Sequence, residues 1–200
     1  MAGKRSTERS PSKPALVVMG CSLGGYNAMQ VVLRALPRDY PLPIALVQHR
    51  GVEQTEHLWS ALQELTALPV READDKEPIV PGCVYVAPPD YHLLVEVGRF
   101  ALSTDPRILS ARPSIDMLFE SAADAYLDRV IAVVLTGASR DGAQGAARVK
   151  RKGGVVVVQD PATAEARIMP EAALAAVKAD RVLPLEDIAA FLQVQGYARL

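Results

Sequence analysis

The sequence predicts an α/β protein, a three-layer, doubly wound, mostly parallel sheet with a local antiparallel hairpin. Short valine-rich apolar runs alternate with longer amphipathic runs, as strands alternate with crossover helices. The apolar runs are continuous, which is typical of strands covered on both faces. Half of the 200 residues are hydrophobic and 22% are charged, a balance typical of one soluble globular domain.

The predicted strands follow the apolar runs in chain order. Those of the parallel sheet are Ala15–Met19, Ile44–Gln48, Val84–Ala87, Val130–Thr136 and Val155–Gln159. The runs His92–Val97 and Arg99–Ser103 flank Gly98 and predict the hairpin. Val182–Leu185 is predicted as an edge strand, because Pro184 has no N–H for an inner ladder.

The predicted helices fill the segments between these strands. They are Tyr26–Ala35, Thr55–Leu68, Ile115–Tyr126, Ala143–Lys152, Pro170–Lys178 and Leu185–Val194. Thr55 and Ser114 are the N-cap residues that we expect for two of them. The acidic, proline-bounded segment Arg71–Pro81 is predicted to be a surface loop.

Composition and charge exclude several classes of protein. A net charge of −1 and an aromatic content of 5% argue against nucleic-acid partners. No apolar run reaches the length of a membrane span, so membrane insertion is not expected. Met1–Pro14 carries basic residues without an apolar core, which predicts a disordered basic arm at 1–14. Cys21 and Cys83 do not form a disulfide framework, and a cytoplasmic location is expected.

Three residues capable of acyl-transfer chemistry follow predicted strands. Ser22 lies in Gly20-Cys-Ser-Leu-Gly-Gly25 after the first strand, His49 ends the second, and Asp141 follows the run 130–136. In proteins with parallel sheets, the functional site lies beyond the carboxyl ends of the strands. A serine attacks, a histidine takes its proton, and an aspartate orients the histidine. The sequence therefore predicts a Ser-His-Asp hydrolase if the three meet.

Other residues of the same types offer alternatives. His57 stands on a predicted helix among polar neighbours, which favours a solvated side chain. His92 lies at a strand boundary and is the second candidate for a contact with substrate. Cys21 is one residue nearer the strand than Ser22 and is interpreted as facing the core.

The acid has competitors as well. Asp141 could simply cap the helix that begins at Ala143. Asp116 stands in the first turn of a predicted helix, where a carboxylate favours the helix dipole. Asp90 is a further candidate, and Asp160 precedes a proline and is interpreted as a turn residue.

Two other loop chemistries fit the Gly20–Gly25 segment less well. Gly20-x-Ser22-x-Gly24 matches the nucleophile elbow of α/β-hydrolases, but there the acid lies between serine and histidine in the chain. A phosphate-cradling loop of a nucleotide-binding domain is the second alternative. The segment lacks the lysine of a P-loop and the spacing G-x-G-x-x-G.

Six motifs together resemble one family. They are Gly20-Cys-Ser-Leu-Gly-Gly25, Val47-Gln-His49, Val84-Tyr-Val-Ala-Pro88, Arg112-Pro-Ser-Ile-Asp-Met-Leu-Phe119, Val134-Leu-Thr-Gly-Ala-Ser-Arg-Asp-Gly142 and Gln159-Asp-Pro161. In this order they resemble the catalytic domain of chemotaxis protein-glutamate methylesterases of the CheB type. The resemblance implies a methylesterase domain over 15–200, hydrolysis of glutamate methyl esters on cytoplasmic chemoreceptor helices, and in many members glutamine deamidation. It implies Ser22 as nucleophile, His49 as base and Asp141 as orienting acid, with no cofactor or metal.

The sequence also departs from the family pattern. Leu23 replaces the usual threonine, Ala138 the usual methionine, and Ser139 the usual glycine. The resemblance implies that these positions border the site, so substrate fit or rate is expected to differ. Only 14 residues precede the first predicted strand, so we expect a stand-alone domain without the family's usual receiver domain, with a separate response regulator as a candidate partner. A catalytically weak or inactive binding module in a signalling complex is the alternative function.

Backbone groups and two arginines complete the predicted site. Oxyanion stabilisation is expected from N–H groups of the serine turn or of the Gly137–Ala138 loop. The residues predicted to line this part of the site are Leu23, Gly24, Gly25 and Ala138. Arg112 and Arg140 are predicted to engage the substrate, the alternatives being that Arg112 braces the Pro113 turn and that Arg140 is solvated.

Overall fold

The computed structural model describes residues 15–49 and 58–197. The predicted basic arm, His57 and the predicted Thr55 cap lie outside these residues. Within them, the strands are β1 (Leu16–Cys21), β2 (Ile44–Gln48), β3 (Val70–Glu72), β4 (Val84–Val86), β5 (His92–Glu96), β6 (Arg99–Ser103), β7 (Val130–Val134), β8 (Val155–Gln159) and β9 (Arg181–Leu183). The helices are α1 (Gly25–Arg34), α2 (Leu58–Gln63), α3 (Ile115–Tyr126), α4 (Ala143–Arg151), α5 (Ile168–Ala176) and α6 (Leu185–Tyr197).

Seven of these strands form one parallel sheet in the order β3-β4-β2-β1-β7-β8-β9. The pair β5–β6 forms a separate antiparallel hairpin. The predicted fold class is therefore confirmed, including the local hairpin. The predicted edge strand is β9, which ends at Leu183, one residue before Pro184.

Side chains of β1 alternate between two apolar layers. Val17, Met19 and Cys21 pack on the side of α1, α2 and α6. Leu16 and Val18 pack on the side of α3, α4, α5 and the hairpin. Because strand side chains alternate with a period of two, a continuous apolar run supplies both layers at once.

The sequence prediction was wrong for part of the segment 71–81. Val70–Glu72 is a strand at the sheet edge that pairs with β4. With three residues and only Val70 buried, it carries no detectable apolar pattern. The N-cap role of Ser114 is confirmed, because its side chain accepts a hydrogen bond from the N–H of Met117.

Candidate active site

Ser22 stands in a tight turn between β1 and α1. Its N–H donates to the Thr136 carbonyl oxygen, and its own carbonyl accepts from the N–H of Gly25. Gly24 has a φ of 76°, and a Cβ there would lie 2.7 Å from the side chain of Glu165. Only glycine combines this backbone conformation with so close an approach. The turn therefore holds Ser22 at the carboxyl edge of the sheet.

His49 and Asp141, which are 92 residues apart in the chain, meet at this edge. The distance between His49 Nε2 and Asp141 Oδ2 is 2.7 Å. The imidazole is 12% exposed and the carboxylate is fully buried. With Nε2 bonded to the acid, the other ring nitrogen, Nδ1, is left to act on a proton from the opposite side.

The carboxylate of Asp141 accepts hydrogen bonds from several further donors. They are the hydroxyl of Ser114 at 2.9 Å and the N–H groups of Ile115 at 2.7 Å, Asp116 at 3.0 Å and Gly142 at 3.1 Å. The first three belong to the start of α3, so Asp141 stabilises that helix rather than only the helix α4 that follows it. The predicted alternative of a simple cap of its own helix is therefore incomplete.

The electrostatics of Asp141 follow from these contacts. Burial by itself raises the pKa of a carboxyl group. The hydrogen bonds from His49 and from the backbone N–H groups of Asp116 and Ile115 outweigh that effect, so the pKa of Asp141 lies below the usual aspartate value. The group is an anion at neutral pH and is suited to orient an imidazole.

Asp116 was expected to stabilise its own helix, but its carboxylate contacts another one. Oδ1 accepts from the N–H groups of Gly142 at 2.9 Å and Gly145 at 2.7 Å, at the start of α4. Burial raises the pKa of Asp116 to about 6, and the negative charges of Asp141 and Glu120 contribute in the same direction.

The Gln48 side chain joins the serine turn to the histidine, a role that sequence reasoning missed. Its Nε2 donates to the carbonyl oxygens of Ser22 at 2.8 Å and His49 at 3.0 Å. Its Oε1 lies 2.9 Å from Cys21 Sγ. The only sequence signal was its place directly before His49.

Cys21 is buried, as predicted. Its thiol contacts Gln48 and the carbonyl oxygen of Val47. Burial raises the pKa of Cys21 far above its ordinary value, which disfavours the thiolate that a nucleophile requires.

Ser22 and His49 line two adjoining cavities, of about 300 and 460 Å³. The first is also lined by Leu109, Arg112 and Ser139. Within the described ranges, the Ser22 hydroxyl has no hydrogen-bond partner, and no bond joins it to His49. Hydrogen bonds of this kind often tighten only when substrate binds. The structure thus brings the three predicted residues to one edge and joins two of them directly.

The backbone N–H groups near Ser22 divide into two sets. Those of Gly25 and Gly137 are engaged, by the carbonyl oxygens of Ser22 and Ala166 respectively. Those of Leu23, Gly24 and Ala138 have no acceptor in the part of the chain that the structure describes. Free N–H groups beside a nucleophile are suited to hold a developing oxyanion.

The two predicted arginines differ in their contacts. The guanidinium of Arg112 donates to Asp90 and to the carbonyl oxygens of Thr104 and Asp105, which braces the segment before Pro113. Arg140 is exposed and lines a groove of about 880 Å³ beside Asp116. Of the two, Arg112 lines a cavity together with Ser22.

The remaining alternatives are engaged by other partners. His92 is fully buried, with Nδ1 accepting from the N–H of Ser114 and Nε2 3.2 Å from the Pro106 carbonyl, so a contact with substrate is excluded. Asp90 pairs with arginines, and Asp160 accepts from the N–H of Ala162 in a turn, as predicted. Among residues 15–49 and 58–197, no three His, Cys, Asp or Glu side chains cluster to hold a metal ion.

Comparisons with known proteins identify the family of this chain. The CheB methylesterase family matches residues 17–192. A Leptospira interrogans protein, named provisionally as a protein-glutamate methylesterase/protein-glutamine glutaminase, is 48% identical over 86% of this chain and 90% of its own length. The Myxococcus xanthus protein-glutamate methylesterase FrzG is 43% identical over 92% of this chain and 56% of its own length.

A solved structure extends the similarity to three dimensions. The crystal structure of the Thermotoga maritima CheB methylesterase catalytic domain superimposes with a TM-score of 0.86 at 36% sequence identity, covering 91% of this chain and 98% of that one. By sequence and by structure, this chain belongs to the CheB methylesterase family.

Proposed function

We propose that this protein hydrolyses glutamate methyl esters on chemoreceptors, with Ser22, His49 and Asp141 as its catalytic residues. The observation that carries the proposal is the 2.7 Å contact between His49 and a fully buried Asp141, at the cavities that His49 shares with Ser22. Relatives named as methylesterases and glutaminases support the same reaction class.

The reaction begins with attack of the Ser22 hydroxyl on the ester carbonyl. His49 accepts the serine proton through Nδ1 and returns it to the departing methoxy group, which leaves as methanol. Asp141 stabilises the imidazolium formed in this step. Water then attacks the acyl-enzyme, giving its proton to His49, and releases a glutamate carboxylate and the free serine.

The tetrahedral intermediate places negative charge on the former carbonyl oxygen. The N–H groups of Leu23 and Ala138 flank Ser22 and are the proposed donors. In the described residues Gly137 approaches Ser22 so closely that a Cβ there would lie 3.0 Å from Ser22 Cβ. The methyl side chain of Ala138 has no hydrogen-bond donor, so the donor proposed at this residue is its backbone N–H. Glutamine deamidation would follow the same path, with ammonia as the leaving group.

The partners belong to the proposal. The substrates are cytoplasmic helices of methylated chemoreceptors, and a cytoplasmic enzyme would reach them without crossing the bilayer. No helix in the described ranges is long and apolar enough to traverse a membrane. A separate response regulator is the proposed regulatory partner.

A methanol-release assay on methylated receptors tests the proposal. The wild-type protein should release methanol and react with a fluorophosphonate probe at Ser22. Ser22→Ala should retain the fold and lose both, because the attacking oxygen is gone. Methanol release by purified Ser22→Ala would show that another group attacks the ester. Absence of labelling and turnover in the wild type would favour the binding-module alternative.

A further inference from the structure

Asp116 supplies a cap to a helix that cannot cap itself. Helix α4 is preceded by Gly142, which has no side chain to satisfy the free N–H groups of the first turn. The Asp116 carboxylate, from α3, accepts from Gly142 and Gly145 instead. A carboxylate in this place acts as an N-cap that comes from a neighbouring helix.

The arrangement is reciprocal. Asp141, from the loop before α4, accepts the N–H groups of Ile115 and Asp116 at the start of α3. The N–H of Gly142 is shared by both carboxylates, at 2.9 Å from Asp116 and 3.1 Å from Asp141. A movement of one helix start therefore displaces both acids.

Close packing leaves little freedom for such a movement. A Cβ at Gly145 would lie 2.5 Å from Phe119 Cβ, so α3 and α4 touch there without a side chain between them. Gly142 has a φ of 97°, and a Cβ there would lie 2.8 Å from Ile115. The peptide after Asp141 is held between these contacts and the Asp116 carboxylate.

We propose that Asp116 is a positioning residue, which holds the peptide after Asp141 and so fixes Asp141 against His49. Its charge acts on the imidazole through Asp141. The proposal rests on the proposed function only in taking Ser22, His49 and Asp141 as the catalytic residues. Asp116 itself lies at the groove beside the site and contacts none of the reacting atoms.

The charged surroundings of Asp116 define what its ionisation does. Asp141 and Glu120 act on it as negative charges, and Arg140 and Glu171 line the groove that it borders. Above a pH of about 6 it is an anion beside Asp141.

Two substitutions separate the hydrogen bonds from the charge. In Asp116→Ala both bonds to α4 are lost, and we expect kcat per active serine to fall about 10- to 100-fold because Asp141 is misplaced. The KM should stay within about twofold, since no substrate contact changes. In Asp116→Asn the amide oxygen still accepts, so most of kcat returns while the charge is absent. The number of active serines is measured by fluorophosphonate titration.

The pH profile gives a readout that loss of folded protein would not move. For Asp116→Asn, the acidic limb of kcat should shift, because the wild-type carboxyl ionises near pH 6 beside Asp141 and the amide does not. Stability should change as well. A carboxyl whose pKa is raised by folding lowers stability above the folded value, and this cost vanishes below the unfolded value of about 4. The Tm of Asp116→Asn should exceed that of the wild type at pH 8, and the difference should shrink toward pH 4.

Asp124 offers a matched control on the same helix. It is exposed and pairs with Arg148 of α4 and with Lys152, without touching Asp141. Asp124→Ala should leave kcat, KM and the acidic limb unchanged. A wild-type rate per active serine in Asp116→Ala, together with an unmoved limb in Asp116→Asn, would overturn the proposal.

The failure of this proposal differs from failure of the proposed function. If the wild type releases no methanol but reacts with the fluorophosphonate, the substrate assignment fails, while the labelling rate still reports activation of Ser22. Slower labelling of Asp116→Ala than of Asp124→Ala would then support the positioning role. Equal labelling rates of these two variants would refute it.

Discussion

The acid and the nucleophile of the proposed triad occupy opposite kinds of surroundings. Asp141 is fully buried and accepts hydrogen bonds from His49, Ser114 and three backbone N–H groups. Ser22 faces two cavities, and the next residue, Leu23, is 57% exposed. The fold thus fixes the group that must not move and leaves open the group that must meet substrate.

The largest effects on kcat are expected from substitutions of Asp141 and Ser22, which should differ in their effect on stability. Asp141→Asn should lower kcat by about 10³- to 10⁴-fold, because the imidazole loses its orienting anion. It should also lower the free energy of unfolding by about 1–3 kcal/mol, since the amide NH₂ meets N–H donors where an oxygen stood. Ser22→Ala should abolish turnover yet change stability by less than about 0.5 kcal/mol. Denaturant unfolding and methanol release measure both quantities, and equal losses of stability would contradict the contrast.

Gln48 joins the serine turn to His49, and its substitution is expected to have an intermediate effect on kcat. Gln48→Met removes the bonds to the carbonyl oxygens of Ser22 and His49. We expect kcat to fall about tenfold as the distance between nucleophile and base loosens.

A similar glutamine away from the site provides the control. Gln63 donates to the Leu68 carbonyl and accepts from the Val70 N–H. Both Gln48→Met and Gln63→Met should lower the free energy of unfolding by about 1–2 kcal/mol. Only Gln48→Met should lower kcat. If the two variants lose the same fraction of activity, Gln48 acts only on stability.

The smallest effect is expected at the rim of the nucleophile's cavity. Arg112→Ala releases the segment that ends in the cavity-lining Leu109 and Ala111, so KM should rise about two- to fivefold while kcat falls less. Arg107 also pairs with Asp90 but does not line the cavity, and Arg107→Ala should leave both constants unchanged. A larger fall in kcat than rise in KM for Arg112→Ala would indicate a direct chemical role.

The parts of the fold that the sequence predicted are those with strong local signals. The run 155–159 is a strand with the predicted bounds, because every residue before Gln159 is valine. Helix α3 spans the predicted 115–126, since Ser114 provides a recognisable cap. The edge strand β3 was not predicted, because a strand of three residues with one buried side chain has no hydrophobic period to detect.

The site divides in the same way. Ser22, His49 and Asp141 could be singled out because each lies at the end of an apolar run or in the loop that follows it. The roles of Asp116 and Gln48 could not, because Gly142 and Gly145, which bind Asp116, and Ser22, which binds Gln48, lie more than 20 residues away in the chain. Local propensity says only that Asp116 suits the first turn of its own helix, and packing of α3 on α4 directs it to another.

The strand order has a consequence for the timing of activity during synthesis. Strand β1 lies between β2 and β7, and the proposed catalytic residues follow these three strands. A ribosome-bound chain that ends before β7 carries the serine and the histidine but lacks the strand that delivers the acid. The enzyme would therefore be inactive on the ribosome until β7 pairs with β1, late in translation.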